Sequence, residues 1–386
     1  MKLKHFIPII ISLCLFGIFL ILPSSWFSGL ITQKTLDNQR TSLSDQMLKG
    51  TLIQEQMFKS NHFYPIYGSS ELGKDDPFNP SILLRDKNMH AKQPFLIGTG
   101  GSTDLINAVE LASQYDHLKG KKMSLIISPQ WFTNHGLTNK NFDARMSKAQ
   151  LNRLFKQKHL SPELKQRYAK RLLRFKNVEN RNYLEKVAKG KISDNDQYVS
   201  SFKMNQFEKI EAIKSNLPLA NTELADITPV TAQDDSWGML RNKAEYYGAK
   251  HSQSNIFKIR DEYWQLIKKH KRKVNRDYEF NSNSPEFKDL ELLVDTMREA
   301  GADIEYISLP SNGKWYDHIG VNKEKRQKVY NKIKNTVISR GGKIYDMTDK
   351  DYEPYVISDA VHIGWKGWVY ISEHIAQHMR KLLFSN

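Results

Sequence analysis

The sequence predicts an α/β domain built on a mainly parallel, doubly wound five-stranded sheet, interrupted by a large helical insertion and preceded by one apolar helix. Three observations predict it. Five short apolar runs, several closed by glycine or proline, alternate with segments of helical period. A central stretch, about residues 139–280, keeps helical spacing among many charges and shows no convincing strand. The run Phe6–Leu22 contains Ser12 as its single clearly polar side chain.

That apolar run comes first in the chain. As a helix its seventeen residues would rise about 25 Å, close to the minimum that spans a bilayer core. Lys2, Lys4 and His5 precede it, and Trp26 and Phe27 follow where an interfacial aromatic anchor would sit. The positive-inside rule then predicts residues 1–5 in the cytoplasm, 6–23 as a single-pass transmembrane anchor in the cell membrane, and the rest outside. A cleaved signal peptide is the competing reading. Against it, the run exceeds the roughly 7–15 residues of a signal core, and "SSWFSG" lacks an A-x-A-like cleavage site.

Residues 24–60 are expected to form a stem, polar and helical over Gln33–Lys59, with the exported domain at 61–386. Its strands are expected at "HFYPIYG" ending in Gly68, at "PFLIGTG" from Pro94 to Gly100, and at "KKMSLIISP" from Lys121 to Pro129. A helix over "STDLINAVELASQY" separates the last two. Within the insertion, Leu151, Leu154, Phe155, Leu172, Leu173 and Phe175 mark helical faces. The alternation resumes with a helix opened by Ser284 and Pro285, striped by Phe287, Leu290, Val294 and Met297, and stopped at Gly301. "DIEYISLP" is a strand, Asn322–Arg340 a helix, "GKIYDMT" the fifth strand, and Trp365–Leu383 the last helix. Such alternation implies a parallel sheet covered on both faces.

The 386-residue chain carries a formal net charge of +16. Leu151–Gly190 holds twelve Lys/Arg against three Glu, and Ile267–Arg276 adds six more bases. Outside a membrane, this charge suits acidic lipid headgroups or an anionic wall polymer. Topology disfavours nucleic acid as a partner. The only cysteine, Cys14, lies in the apolar run, so the exported part can hold no disulfide and no cysteine nucleophile. With no H-E-x-x-H or close histidine pair, neither a metal nor another cofactor is expected.

In doubly wound sheets ligands bind beyond the carboxyl ends of the strands. "YGSSE", "GTGGS" and "SPQWF" fall at such ends. Serine needs a base within hydrogen-bond reach and a third group that fixes the tautomer of that base. "SDAVHIGWKGW" supplies a pair: Asp359, three residues before His362, can accept from one imidazole nitrogen while the other faces the pocket. Ser70 would be the nucleophile, with Ser69 a turn residue. Asp317 and His318 form a rival pair, geometrically poor because adjacent residues point apart. Trp131, Trp315, Tyr316, Trp365 and Trp368 are candidates to line the pocket, or to fill the core.

"YGSSEL" and "DAVHIGWKGW" resemble the first and last blocks of the SGNH (GDSL-like) hydrolase superfamily, with Ser70, Asp359 and His362 at the triad positions. The fuller set, including "GTGGSTDL", "SPQWF" and "PSNGKWYDH" after an apolar N-terminus, is similar to the DltD family of D-alanyl-lipoteichoic acid biosynthesis proteins of Gram-positive bacteria. That resemblance covers nearly the whole chain. It implies a membrane-anchored extracytoplasmic acyltransferase of teichoic acid D-alanylation, moving D-alanyl groups to (lipo)teichoic acid hydroxyls. The partners it implies are lipoteichoic acid, a D-alanyl donor, a membrane-bound O-acyltransferase, a small membrane peptide and, less directly, the D-alanyl carrier protein. A wall-active esterase or thioesterase, and a non-catalytic adaptor, are the other classes open. Oxyanion donors are expected from the backbone of Ser70 and of Gly100 or Gly101. SGNH enzymes add an asparagine amide, for which Gln130 is the candidate substitute here, or else an ordinary loop residue. Glu71 either holds the ammonium of a D-alanyl donor or is a first-turn glutamate favoured by the helix dipole.

Overall fold

The computed structural model describes residues 6–73, 76–87, 92–193, 195–217, 230, 232–269 and 275–380. Lys2, Lys4, His5, the centre of the basic block 267–276 and the end of the last expected helix lie outside the described residues.

The strands form where the apolar runs predict them: β1 Phe63–Gly68, β2 Gln93–Gly98, β3 Lys122–Ile127, β4 Asp303–Ser308 and β5 Lys343–Asp346. All pair in parallel, in the order β2-β1-β3-β4-β5. β1 and β3 are buried along their whole length, as central strands of a sheet covered on both faces must be. The two-residue pleat sorts β1 cleanly. Phe63 and Tyr67 join the core under helices Asp104–Ser113 and Glu286–Glu299, while Tyr64 and Ile66 join the core under helices Pro80–Asp86 and Trp365–Arg380. The chain leaves β1 for β2 on one side and then crosses to β3 on the other, so the order reverses between β1 and β3. Such a reversal is where doubly wound sheets leave a crevice for ligands, beyond the carboxyl ends of the strands.

The Glu286–Glu299 helix stops as its sequence demands. Gly301 sits at φ +66°, and Ala302 N–H closes on Met297 C=O at 3.1 Å, the left-handed cap that glycine adopts without strain.

Between β3 and β4 the described residues form helices and no strand. Their apolar stripes, including Leu151, Leu154, Leu172 and Phe175, merge into the core on one face of the sheet. The insertion is therefore fused to the sheet rather than appended to it.

Two expectations are corrected. Residues 24–60 are not a free stem, because helices Gln33–Gln39, Asp45–Lys49 and Leu52–Lys59 bury Leu36, Met47, Ile53, Met57 and Phe58 in the same core. Arg40 C=O accepts from Leu96 N–H at 2.8 Å, covering the β2 edge that would otherwise expose unpaired backbone groups. The apolar run 6–23 yields a helix of only 15 residues, Ile7–Ile21. Its length of about 22 Å falls short of a hydrocarbon core of about 30 Å. Among the described residues no helix is long and apolar enough to cross a membrane.

Candidate active site

Ser70 opens a short 3-10 turn, Ser70–Gly73, directly after β1, at the crevice where the strand order reverses. Its position depends on Gly68. A β-carbon there would lie 2.5 Å from Glu71 Oε1, because the Glu71 carboxylate folds back beneath the turn. Glu71 Oε1 accepts from Ser69 N–H at 2.7 Å and Oε2 from Ser128 Oγ at 3.3 Å, which ties the end of β1 to the end of β3. Ser69 Oγ donates to Thr99 C=O at 3.2 Å, adding the end of β2. Ser69 is thus the turn residue expected of it.

Glu71 is a correction. It is 1 % exposed, with both carboxylate oxygens engaged by the surrounding turn. Burial pushes its carboxyl above the ordinary range, and the hydrogen bonds from Ser69 and Ser128 hold it back in part. A buried carboxylate spent on bracing the ends of β1 and β3 is not free to serve as an ammonium ligand.

His362 arrives from the opposite end of the chain on a loop that runs back from the edge strand β5. Ile357 and Ile363 pair as an antiparallel bridge, and Ser358 N–H donates to His362 C=O at 2.8 Å. Gly364 permits this crossing, since a β-carbon there would lie 2.4 Å from Tyr355 C=O. Two ties hold the loop over the sheet: Asn312 N–H to Ala360 C=O at 2.9 Å, and Arg260 N–H to Ser358 C=O at 2.7 Å. The second comes from the insertion. The Arg260 guanidinium also lies 4.7 Å from the Trp365 ring and 3.7 Å from Asp76, so the insertion braces both sides of the site.

The D-x-x-H spacing now has a geometric cause. Asp359 Oδ1 accepts from Val361 N–H and His362 N–H, each at 2.8 Å, which leaves Oδ2 aimed at His362 Nδ1 at 2.6 Å. That contact places the proton on Nδ1 and leaves Nε2 as the acceptor. Nε2 lies 2.8 Å from Ser70 Oγ. Burial alone would raise the Asp359 carboxyl, but bonds from the His362 ring and from two backbone N–H groups hold it below the ordinary carboxylate range. The row Ser70, His362, Asp359 can therefore move a proton off a serine hydroxyl and stabilise the imidazolium that forms.

Gly100 packs beside Ser70, where a β-carbon would come 3.7 Å from Ser70 Cβ. Gly101 turns at φ +89° against Asn141 and Arg145. Gln130 sits half-buried in the turn Pro129–Trp131 after β3, across the crevice from β1, and its amide forms no hydrogen bond among the described residues.

Arg145 was not legible in the sequence. Its Nε donates to Gly100 C=O at 2.6 Å from the end of helix Asn139–Arg145, the first of the insertion. In a trans peptide the next N–H points opposite to that carbonyl, so Arg145 fixes the direction of the Gly101 N–H. Nothing in the motif pattern distinguishes this arginine from the many others in the insertion.

The rival pair separates. Asp317 bonds Arg326 at 2.7 Å and Tyr352 OH at 2.6 Å, while His318 packs on Phe257 and Trp315. Trp315, Tyr316, Trp365 and Trp368 are buried core. Of the named aromatics, Trp131 alone stays beside the crevice, half-buried in the Pro129–Trp131 turn.

A cleft of about 510 Å³ lies on the insertion side, walled by Arg167, Lys170, Arg171 and Arg174 and faced by Lys288, with Asp289 and Glu291 as its carboxylates. Arg171 is held by a two-pronged pair with Asp289 at 2.7 and 2.8 Å, and Arg167 by Asp295 at 2.7 Å. Phe175 at its edge stacks on Phe142 with ring centroids 3.9 Å apart. Asn139 lines the cleft and Arg145 touches Gly100, so one short helix about 10 Å long joins the cleft to the crevice.

Comparison with known proteins identifies relatives along the full length. The family model described as DltD protein matches residues 40–380. Protein DltD of Staphylococcus aureus is 64% identical over 380 residues, 98% of this chain and 97% of the relative. Protein DltD of Bacillus subtilis is 36% identical over 97% of both chains. Protein DltD of Lacticaseibacillus rhamnosus is 27% identical over 97% of this chain and 90% of its own.

Proposed function

The chain belongs to the DltD family, and from that premise we propose that it is a membrane-anchored serine acyltransferase of teichoic acid D-alanylation. The observation that carries the chemistry is the unbroken row from Ser70 Oγ through the His362 ring to Asp359.

In this reading Ser70 Oγ attacks the D-alanyl carbonyl as its proton passes to His362 Nε2. The tetrahedral intermediate collapses, the carbon–donor bond breaks, and His362 returns the proton to the leaving group. The D-alanyl ester on Ser70 is then attacked by a polymer hydroxyl whose proton His362 accepts, and Ser70 leaves with that proton restored. Backbone N–H groups of Ser70, Gly100 or Gly101 and the Gln130 amide are the candidate oxyanion donors. Loss of one such donor typically costs about 3–4 kcal/mol of transition-state stabilisation.

The acceptor is a polyanion, and the basic cleft supports that assignment. Arginines pinned by buried carboxylates present their remaining N–H groups in fixed directions, which suits repeated phosphate. For location, the Ile7–Ile21 helix buries none of its residues and exposes apolar side chains on all sides. We place it in the cell membrane as an anchor that enters the apolar layer without spanning it, with Trp26 at the interface and, as the family role implies, the domain on the outer face. The pathway's membrane-bound acyltransferase, its small membrane peptide and the D-alanyl carrier protein remain the partners this role implies.

The test is the D-alanine ester content of teichoic acid in cells lacking their own copy and supplied with wild type, Ser70→Ala or His362→Ala. Loss in both variants at normal protein levels supports acyl transfer. Retention in Ser70→Ala would point to an adaptor. For the purified protein, release of free D-alanine in preference to transfer to a glycerol hydroxyl would make it an esterase.

A further inference from the structure

The Ser201–Lys214 helix turns four large apolar side chains to solvent. At 3.6 residues per turn, Phe202, Phe207, Ile210 and Ile213 share one face, and that face points to solvent, each residue between 36 % and 61 % exposed. An ordinary surface helix does the reverse. The inward face buries Met204 and Ala212 and carries Asn205, Glu208, Lys209 and Glu211, and each of the four polar side chains is engaged. Glu211 accepts from Thr51 N–H at 2.8 Å and Leu52 N–H at 2.6 Å, and Glu208 from Ser24 Oγ at 2.6 Å.

The remaining inward groups grip the end of the N-terminal apolar helix. Asn205 Nδ2 donates to Leu22 C=O at 2.9 Å, Gln206 Nε2 to Leu20 C=O at 2.9 Å, and Lys209 Nζ to Phe19 C=O and, at 3.2 Å, Leu20 C=O. These carbonyls end a helix and would otherwise lack partners. The buried Lys209 ammonium also lies 4.7 Å from the Phe19 ring centre. The joint fixes the outward face of the 201–214 helix relative to Ile7–Ile21, whose own apolar surface is exposed all round. Exposed Trp26 and Leu30 lie on the segment between the joint and the domain. Lys203 and Lys214 rise within the apolar face, between Ile210 and Phe207, with Lys203 Nζ 5.7 Å from the Phe207 ring centre, and both glutamates of the helix are turned inward.

We infer that the Ser201–Lys214 helix is an interfacial membrane element: Phe202, Phe207, Ile210 and Ile213 enter the acyl boundary of an acidic lipid leaflet while Lys203 and Lys214 meet its headgroups. The apolar face continues an apolar helix, and the charges that rise from it, Lys203 and Lys214, are both positive. This sets the height and tilt of the domain above the bilayer, which an anchor alone leaves loose. The inference rests on the membrane placement of Ile7–Ile21 and is independent of the Ser70 chemistry.

The test uses the full chain in phosphatidylglycerol–phosphatidylcholine vesicles, with a nitroxide on native Cys14 or, in a Cys14→Ser background, on Ile210→Cys, Ile213→Cys or the exposed control Lys189→Cys. Power saturation compares collisions with oxygen, which enters lipid, and with an aqueous nickel chelate. The inference expects the labels at 210 and 213 to meet nickel several-fold less than the label at 189 and to gain oxygen collisions. Nickel access at 210 and 213 equal to that at 189, with Cys14 shielded, overturns the interfacial helix and leaves the anchor. Equal access at Cys14 as well overturns both. Dipolar broadening between labels at 213 would show a second copy on the face, and would also overturn it.

Discussion

The Ser70 hydroxyl and the His362 imidazole lie 2.8 Å apart although 292 positions separate them in the chain. The distance is set by two turns, not by the side chains. Glu71 holds the Ser70 turn from beneath, and Asp359 holds the histidine loop from within.

Asp359 acts by keeping the proton on His362 Nδ1. Asp359→Asn is expected to lower turnover of an activated acyl ester roughly 10⁴-fold by favouring the wrong tautomer, with little change in KM. The same contact has a pH signature. Its carboxyl is held below the ordinary range, so the stability it contributes is complete above the unfolded value of about 3.9 and is lost as pH falls through the lower folded value. Thermal melts should therefore show the gap between wild type and Asp359→Asn closing as the solution is acidified from about pH 5. A gap that widens on acidification would contradict the contact.

Arg145 is a positioning residue that acts through the Gly100–Gly101 peptide. Arg145→Ala should lower kcat by roughly tenfold to a hundredfold, the usual cost of a misplaced catalytic element, with KM nearly unchanged. Arg145→Lys keeps the charge without the planar donor and should not restore kcat. Full activity of the lysine variant would show that charge alone matters at this position.

Glu71 predicts a stability effect without substrate selectivity. Glu71→Ala leaves Ser69 N–H and Ser128 Oγ without their carboxylate partner, a cost of about 1–3 kcal/mol per buried group, and should lower activity on acetyl and D-alanyl esters by the same factor. Glu71→Gln keeps an acceptor for Ser69 and should stay close to wild type. A selective loss on the aminoacyl ester would return Glu71 to the ammonium role.

Much of this was legible in advance, and the exceptions share a cause. The five strands followed from apolar runs because a parallel sheet covered on both faces leaves no polar alternative along β1 and β3. Gly68, Ser70, Asp359 and His362 stood out because local turn geometry demands them at fixed offsets. Arg145, Arg260 and the bracing role of Glu71 did not, since each depends on a contact with a segment distant in sequence. The supposed stem misled for a related reason. Leu36, Met47, Ile53 and Met57 are spaced too irregularly over three short helices to announce one buried face.

The basic cleft is predicted to bind polymer electrostatically. Lys170→Glu with Arg174→Glu should weaken binding of a polyglycerolphosphate chain and flatten its salt dependence, since fewer counterions are released, and the fold should survive because both side chains are exposed. Arg171→Glu is a different test, because it leaves buried Asp289 unpaired and should destabilise the protein. Polymer affinity indifferent to salt would exclude the cleft as the acceptor site.

The measurement that tests the central claim most directly is labelling of the full-length protein by a serine-reactive fluorophosphonate. A hydroxyl activated by the His362–Asp359 pair should label at Ser70 in the wild type, and labelling should disappear in Ser70→Ala and fall at least about 10³-fold in rate in His362→Ala. Labelling that persists in Ser70→Ala, or that is unaffected by loss of His362, would contradict the account.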